Sequence, residues 1–345
     1  MLKVCKFGGT SMADAKAMSK VRDIIRADED RKYIVVSAPG KRFKDDIKIT
    51  DTLYKCYNEV IEKGNCKETF KIIRDRFTEI VNDLKINLDI EKILDETENE
   101  INEKKSADFS ASRGEYLSAL IFASFIEAEF VDARDMIRFD GKGRLSEDYT
   151  DDKVKTRLDS VEFAVIPGFY GKDSNGNIKT FSRGGSDITG SIIARGVKAD
   201  LYENWTDVSG FLICDPRIVP EAKVIKQLTY KELRELSYMG ASVLHSEAIF
   251  PVQRSRIPIN IKNTFKPEDK GTLIVPSEIY DDKANDSIIT GIAGKKNFTV
   301  ILLEKSLMNS EIGFIRKVLS VVEHFGLSVE HLPSGIDTLS IVLNS

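Results

Sequence analysis

Residues 181–190 read Phe-Ser-Arg-Gly-Gly-Ser-Asp-Ile-Thr-Gly, and this stretch follows a short polar strand and opens an apolar helix. Adjacent glycines lack Cβ atoms and let the backbone approach a ligand closely. Ser186 or Asp187 is placed to cap the helix, whose free N–H groups form an anion site. Arg183 adds a planar cation that fits a carboxylate or a phosphate. A purely structural turn is the alternative, so the functional interpretation needs a second element elsewhere in the chain.

The N-terminus supplies that second element. Residues 4–11, Val-Cys-Lys-Phe-Gly-Gly-Thr-Ser, again run from a strand through two glycines into a helix, and Ser11 with Asp14 fits a capping box. Lys6 precedes the glycines, unlike the lysine of a Walker loop, but a strand lysine beside helix N-terminal amides can hold a transferring phosphoryl group. A third strand ends in a turn at residues 37–40. Three such units predict a ligand at the strand ends of an α/β sheet.

The composition of the chain argues against several classes of function. The 345 residues allow two domains, and a formal net charge of -4 gives no basic footprint for nucleic acid. Four cysteines without metal-like spacing predict free thiols in a reducing cytoplasm, and three histidines argue against a histidine-based zinc site. Met1 leads directly into a strand, and no apolar run approaches the roughly 20 residues of a membrane span. We therefore expect no signal peptide, no membrane partner and no nucleic-acid partner.

The order of elements predicts a parallel α/β sheet, because strands and helices alternate up to about residue 285. Amphipathic helices over residues 67–105 are expected to cover one side of the domain with a solvated face. A more apolar helix over residues 110–130 carries Glu115 near its entry, where it is either a cap or a site residue. Asn175-Gly176 predicts a hairpin, and Thr229 with Glu232 predicts another capping box.

A small β-α-β-β unit follows the acidic and basic linker near residue 285. Its first strand is predicted at residues 298–303, and its helix carries apolar residues between positions 312 and 325. Gly326 is placed to end that helix, and two further strands are predicted at residues 328–332 and 338–343. A unit this small is expected to be part of a domain.

Taken together, these motifs resemble aspartokinase in order and spacing across essentially the whole chain. The resemblance implies a three-layer αβα sandwich of the amino-acid kinase type over residues 1–285. Its substrate lobe would extend to about residue 190 and its nucleotide lobe would occupy about residues 191–285, followed by a partial ACT-like regulatory unit at 286–345. The motifs that carry the resemblance lie at residues 6–11, 112–115, 167–169, 183–187, 206–208, 215–217 and 240–245.

The activity that the resemblance implies is transfer of the γ-phosphoryl group of MgATP to the β-carboxylate of L-aspartate, giving 4-phospho-L-aspartate. This is the first step toward lysine, threonine and methionine. A carboxylate is already a nucleophile, so catalysis needs positioning and charge neutralisation and no general base. No acidic cluster in the sequence marks a Mg²⁺ site, and the metal is expected to be held largely by the ATP phosphates.

The resemblance also implies roles for individual residues. Lys6 would neutralise the transferring phosphoryl group, and Asp187 would orient that lysine and the reacting groups. Arg183 would hold a carboxylate of aspartate, and Glu115 would hold its α-amino group. The remaining substrate-binding residues would be Ser37, Thr50 and Ser186. The nucleotide-binding residues would be Lys6, Gly8, Gly9, Ser11, Thr206, Asp207, Phe211, Arg217 and Ser242.

Two departures from the family pattern stand out. Ser242 occupies a position that is lysine in many members, so Arg217 or the loop at residues 41–48 is expected to replace its phosphate contact. The chain also stops where the family usually continues through a second ACT unit, which predicts a truncated regulatory region with an open sheet edge. If an effector binds, lysine or threonine is expected at residues 309–313 and 334–337. ACT units usually pair, so a homodimer or a higher homo-oligomer is expected.

Two other functions remain open at this stage. A sister kinase of the same superfamily would act on glutamate, N-acetylglutamate, carbamate or a nucleoside monophosphate. Residues 6–11 and the ACT-like end argue against it. A weakly catalytic amino-acid sensor would use the kinase lobes as a scaffold, but the joint presence of Lys6, Glu115, Arg183 and Asp187 argues against that function.

Overall fold

A computed structural model describes residues 1–104, 106–182, 184–240, 249–285 and 288–344. The chain forms two compact units, Met1–Ile292 and Ala293–Ser345, here named unit 1 and unit 2. Helices flank a large, mostly parallel sheet in unit 1, and unit 2 contains a small antiparallel sheet. The predicted three-layer αβα fold with a partial ACT-like unit is confirmed.

Unit 1 is built around an eight-stranded sheet of order β3-β4-β2-β1-β7-β9-β10-β8. The strands from β3 to β9 in this order are parallel, β10 is antiparallel to β9, and β8 is parallel to β10. Residues 33–36 of β2 are buried on both faces of the sheet, as expected for a parallel strand covered by helices on both sides. The strands of unit 1 are β1 Lys3–Phe7, β2 Arg31–Val36, β3 Glu129–Phe130, β4 Ala164–Pro167, β5 Tyr170–Lys172, β6 Ile178–Thr180, β7 Leu201–Thr206, β8 Gln227–Thr229, β9 Ile259–Asn263 and β10 Thr272–Val275.

Helices of unit 1 bury apolar stripes against this sheet and against one another. In α1, for example, Met18, Val21 and Ile25 face the core, as their helical spacing predicts. The helices described in unit 1 are α1 Ala15–Arg26, α2 Ile49–Lys63, α3 Lys67–Leu84, α4 Ile90–Lys104, α5 Ala107–Ile126, α6 Glu147–Leu158, α7 Gly185–Gly196, α8 Tyr230–Tyr238 and α9 Phe250–Arg254.

The sequence predicts some of the turns and helix caps correctly and others wrongly. The hairpin at Asn175-Gly176 joins β5 to β6, and the Thr229–Glu232 capping box opens α8. The capping box at Ser11 is wrong, because residues 9–12 form a 3₁₀ turn and the Asp14 carboxylate caps α1 through the Ala17 N–H. Capping of α7 by its own side chains is also wrong, because Gly184, in the left-handed region, precedes the helix.

Unit 2 has the predicted β-α-β-β order, with β11 Phe298–Glu304, α10 Phe314–His324, β12 Val329–His331 and β13 Thr338–Asn344. Its antiparallel sheet has the order β11-β13-β12. The core that holds it together is small and consists of Met308, Val322, Leu339, Ile341 and Leu343.

Across the residues that the structure describes, none of the helices is long and apolar enough to cross a membrane.

Candidate active site

The site lies where the parallel strands of unit 1 end. Since β4, β2, β1 and β7 are neighbours and run in the same direction, their carboxyl ends bring the following loops to one edge of the sheet. Gly8 N–H donates to the Trp205 carbonyl at 3.0 Å and Gly168 N–H donates to the Val36 carbonyl at 2.9 Å. The turn after β1 and the turn after β4 are therefore joined directly to the ends of neighbouring strands.

The turn after β1 and the turn after β2 cross each other at Gly9 and Gly40. The Gly40 N–H donates to the Gly9 carbonyl at 2.8 Å, and a Cβ on Gly40 would come within 2.6 Å of the Gly9 carbonyl carbon. No side chain fits there, so Gly40 is required for this crossing. The crossing fixes the position of residues 8–9 relative to residues 37–40.

A compact charged cluster forms at the ends of β1 and α7. The Lys6 ammonium lies 2.5 Å from Asp187 Oδ1, and both side chains are largely buried. Asn204 on β7 donates from Nδ2 to the same oxygen at 2.8 Å. The register of the sheet places Asn204 beside Lys6, and Asp187 reaches them from the first turn of α7. The structure thus joins the two residues predicted to act on the phosphoryl group.

Glu115 lies inside α5 and not at its entry, so the cap alternative is excluded. It is 5% exposed, and the Ala38 N–H of the turn after β2 contacts its carboxylate. Burial raises the pKa of Glu115 to about 8, against smaller lowering effects from the Ala38 N–H and from the Arg113 and Lys6 cations. Its Oε2 atom is buried and has no hydrogen-bond partner among the described residues. A buried polar atom without a partner is rare in folded proteins and requires an explanation, of which a contact made only by a ligand is one.

The other predicted substrate residues lie around these groups. Ser37 follows β2 and is half-buried, and its N–H donates to the Phe7 carbonyl at 3.1 Å. Thr50 is half-buried in the first turn of α2, and Ser186 is buried in the first turn of α7. A Cβ on Gly168 would meet Ser186 Cβ at 2.6 Å, so the turn after β4 packs directly on α7. Arg183 lies outside the described residues.

Predicted nucleotide residues fall into an exposed set and a buried set. Thr206 ends β7, and its hydroxyl donates to the exposed Asp207 carboxylate at 3.2 Å. Arg217 has an 87% exposed side chain and pairs with Asp215, and this pairing lowers the pKa of Asp215 to about 2. Phe211, by contrast, is 1% exposed within the core. These roles stay predictions, and Ser242 lies outside the described residues.

Ser11 is also buried, and its hydroxyl lies 2.8 Å from the Thr264 hydroxyl just beyond β9. It therefore ties the turn after β1 to the end of a strand two positions away in the sheet. Gly8 and Gly9, in the same turn, stay adjacent to Lys6 and to the Ala38 carbonyl.

Sequence reasoning missed Asn204, although a signal was present. Residues 203 and 204 are consecutive polar residues, Glu and Asn, inside a strand that is buried on both faces. Buried polar groups need hydrogen-bond partners, so two such residues in one strand predict specific partners on opposite faces of the sheet.

Arg76 was missed because residues 67–105 were interpreted as solvated helices. It lies on the apolar stripe of α3 and is 6% exposed. Its guanidinium donates to Asp46 Oδ2 at 2.7 Å, to the Ala13 carbonyl at 3.2 Å and to the Gly40 carbonyl at 3.4 Å. An arginine in register with Ile73, Phe77 and Ile80 predicts a buried cation, and this cation supports the turn after β2.

The chain is similar to known kinases throughout its length. The model of the amino acid kinase family matches residues 1–263. Aspartokinase 3 of Bacillus subtilis is 40% identical, with 99% of this chain and 78% of that protein covered. Among solved structures, aspartate kinase of Clostridium acetobutylicum has a TM-score of 0.92 at 55% identity, covering 99% of this chain and 78% of that one.

Aspartokinase III of Escherichia coli is a more distant structural relative. Its complex with aspartate and ADP gives a TM-score of 0.78 at 26% identity, covering 100% of this chain and 79% of that one. Its complex with lysine and aspartate gives a TM-score of 0.77 at the same identity, covering 99% and 79%.

Proposed function

Since the chain belongs to the amino acid kinase family and, within it, to the aspartokinases, we propose that it is an aspartate kinase. It transfers the γ-phosphoryl group of ATP to the β-carboxylate of L-aspartate and releases ADP and 4-phospho-L-aspartate. In this reaction a carboxylate oxygen bonds to the γ-phosphorus while the bond from that phosphorus to the bridging oxygen of ADP breaks. No proton has to move, so the protein needs to position two anions and to offset their charge.

The observation that carries this proposal is the unpartnered Oε2 of Glu115, in a protein whose Lys6–Asp187 pair lies at the same edge of the sheet. An amino-acid acceptor brings an ammonium group, which supplies the donor that Oε2 lacks. Binding would exchange the proton of the neutral Glu115 for the substrate's ammonium, and the electrostatic gain is large because the site is shielded from water. A phosphoryl acceptor without a cationic group would leave this carboxyl unused.

Lys6 acts on the transferring group in this proposal. Its ammonium is held at the end of β1 by Asp187, so it does not have to reorganise when negative charge develops between ATP and the acceptor. The N–H groups at the start of α7 and in the turn after β1 add further donors at the same edge. Mg²⁺ would enter as part of the MgATP substrate and would offset the charge of its phosphates.

Formation of an acyl phosphate tests the proposal directly. The protein is incubated with MgATP, hydroxylamine and either L-aspartate or L-glutamate, and the hydroxamate is measured. Hydroxamate from aspartate and not from glutamate is expected, since the longer side chain would displace its carboxylate when its ammonium is bound to Glu115. Equal turnover of glutamate would overturn the assignment of the acceptor. No turnover of either, by folded protein that binds ATP, would favour the sensor function.

We also propose that unit 2 binds an amino-acid effector, lysine or threonine, at residues 309–313 and 334–337. Support comes from the loop at residues 305–307, which both segments contact: Asp337 Oδ1 accepts a hydrogen bond of 2.8 Å from the Leu307 N–H, and Glu311 pairs with Lys305. A ligand that binds the folded state at 100 times its Kd stabilises it by about 2.7 kcal/mol. A rise in melting temperature with one of the two amino acids, and none with glycine, is the expected result. No rise with either would overturn the proposal.

We place the enzyme in the cytoplasm and expect it to form at least a homodimer. Free thiols at Cys5, Cys56, Cys66 and Cys214 fit a reducing compartment. Analytical ultracentrifugation would test the assembly, and a monomer at micromolar concentration would contradict it.

A further inference from the structure

Asn204 is a buried polar residue whose side-chain amide donates a hydrogen bond to Asp187. Asn204 is 3% exposed in the middle of β7, where its backbone is paired to β1 on one side and to β9 on the other. Burying an amide in a central strand costs free energy unless the amide finds partners. Its Nδ2 lies 2.8 Å from Asp187 Oδ1 and 3.5 Å from the Tyr202 hydroxyl, so Asp187 is its closer partner.

Asp187 receives two contacts from β7. The Tyr202 hydroxyl donates to the main-chain carbonyl of Asp187 at 3.2 Å, while Asn204 donates to its carboxylate. Burial, reinforced by the Asp187 charge, raises the pKa of Tyr202 well above its ordinary value, so this hydroxyl keeps its proton and remains a donor. Tyr202 thus fixes the backbone of residue 187, and Asn204 fixes its carboxylate.

Lys6 and Asn204 donate to the same oxygen, Oδ1. With only the lysine present, the carboxylate could rotate about its Cβ–Cγ bond and carry the flexible ammonium with it. The amide comes from a rigid strand and defines a second direction of approach, so together the two donors fix the plane of the carboxylate. The position of Oδ1 then determines where the Lys6 ammonium lies.

We propose that Asn204 is a positioning residue for phosphoryl transfer, which acts through Asp187 to hold the Lys6 ammonium in place. This inference rests on the proposed function. Because Asn204 touches Asp187 and Lys6 touches the transferring group, loss of the amide lowers the rate of the chemical step and leaves the binding of both substrates nearly unchanged.

Asn204→Leu tests the inference, because leucine is close to asparagine in size and lacks the donor. We expect kcat to fall about 10- to 100-fold, as for loss of a hydrogen bond to a charged group, with KM for aspartate and for MgATP changed by less than about threefold. Asn260→Leu is the matched control, because Asn260 lies on the adjacent strand β9 in register with Glu203 and makes no contact with Lys6 or Asp187 in the described structure. Its kcat should stay within about twofold of the wild type.

Asn204→Asp covers the case in which the leucine variant is unstable. Aspartate has the shape of asparagine but replaces the donor with an acceptor that repels Asp187 and competes for Lys6, so kcat should fall at least as far. Wild-type kcat in either folded variant, or a rise in KM equal to the loss of kcat, would overturn the inference while the proposed function stands. Failure of the wild-type protein to phosphorylate aspartate would overturn the proposed function and this inference with it.

Discussion

Unit 1 contains two clusters of largely buried charged residues, and they differ in whether each charged group has a partner within the protein. The inner cluster, Lys3, Asp28, Arg31 and Glu203, is fully paired: Lys3 lies 2.6 Å from Asp28, and Arg31 lies 2.7 Å from Glu203. Glu203 also accepts from the Trp205 indole at 3.0 Å and from the Cys5 thiol at 3.3 Å. The edge cluster, Lys6, Asp187, Asn204 and Glu115, leaves Glu115 Oε2 without a partner in the described structure.

This difference distinguishes charged residues that stabilise the fold from charged residues that are available to bind a ligand. In the inner cluster each charge offsets another, so the cluster is complete without a ligand. In the edge cluster a carboxyl with its pKa raised to about 8 is kept in the interior although none of the described residues donates a hydrogen bond to its Oε2 atom. Keeping such a group costs stability, and a bound ammonium would recover that cost. Matched substitutions in the two clusters test this distinction.

The largest effect is expected from two lysines of the same strand. Lys6→Met removes the cation at the carboxyl end of β1, and Lys3→Met removes the cation at its amino end. Loss of a charge that stabilises the transition state should lower kcat about 1,000-fold for Lys6→Met. Lys3→Met should keep kcat within about twofold, because Lys3 pairs with Asp28 at the opposite end of the strand from the site, so its loss should affect stability and not the reaction. Hydroxamate formation measures both, and equal losses would show that the two clusters do not differ in function.

Opposite effects on stability are expected from the same substitution at the two buried glutamates. Glu203→Gln removes the carboxylate that the Arg31 guanidinium contacts most closely and should lower the free energy of unfolding by about 3 kcal/mol. Glu115→Gln removes a group that the folded state keeps protonated up to about pH 8 while the unfolded state ionises it near its ordinary pKa. Wild-type stability therefore falls as pH rises from about 4.5 to 8, and Glu115→Gln should be roughly 3 kcal/mol more stable than the wild type at pH 7.

Urea unfolding at pH 5 and at pH 8 measures both effects. The gain from Glu115→Gln should be small at pH 5 and large at pH 8, whereas the loss from Glu203→Gln should be present at both. Destabilisation by Glu115→Gln at pH 8 would mean that Glu115 is a structural residue, and the comparison between the clusters would fail.

Much of this arrangement could be predicted from the sequence, because the signals are local. The double glycines, the hairpin at residues 175–176 and the box at Thr229 depend on a few adjacent residues, and the glycines at positions 8 and 9 placed Lys6 near a strand end. The caps predicted at Ser11 and Ser186 are wrong, because several nearby polar residues could cap either helix: Asp14 caps α1, and Gly184 precedes α7 without a side-chain cap.

Contacts between residues far apart in the sequence could not be predicted, because no local pattern identifies the partner. Asn204 meets Asp187 across 17 residues, and Arg76 meets Asp46 across 30. A buried polar residue predicts that a partner exists, but only the fold identifies the partner. The pairing of Lys6 with Asp187 was anticipated through the family resemblance, and the pattern of either motif taken separately does not contain it.

Glu115→Gln is expected to weaken the binding of aspartate at pH 8.5, where the wild-type carboxyl is mostly ionised. Replacing the charged acceptor by a neutral amide should raise KM for aspartate about 30-fold, as for loss of a charged hydrogen bond. KM for MgATP should not change and serves as the internal control. A parallel rise in both constants would place Glu115 in support of the whole site and not at the substrate's ammonium.

The smallest effect is a pH dependence of the wild-type protein. In the free protein Glu115 is neutral below its pKa of about 8, and only the ionised form attracts an ammonium group. KM for aspartate should therefore fall about 25-fold as pH rises from 6.5 to 8.5, whereas a group that is ionised throughout this range would give no such change. Glu115→Gln should abolish this slope. If KM for aspartate still depends on pH in the variant, the titrating group is not Glu115. The edge cluster would then lose the feature that distinguishes it from the inner cluster.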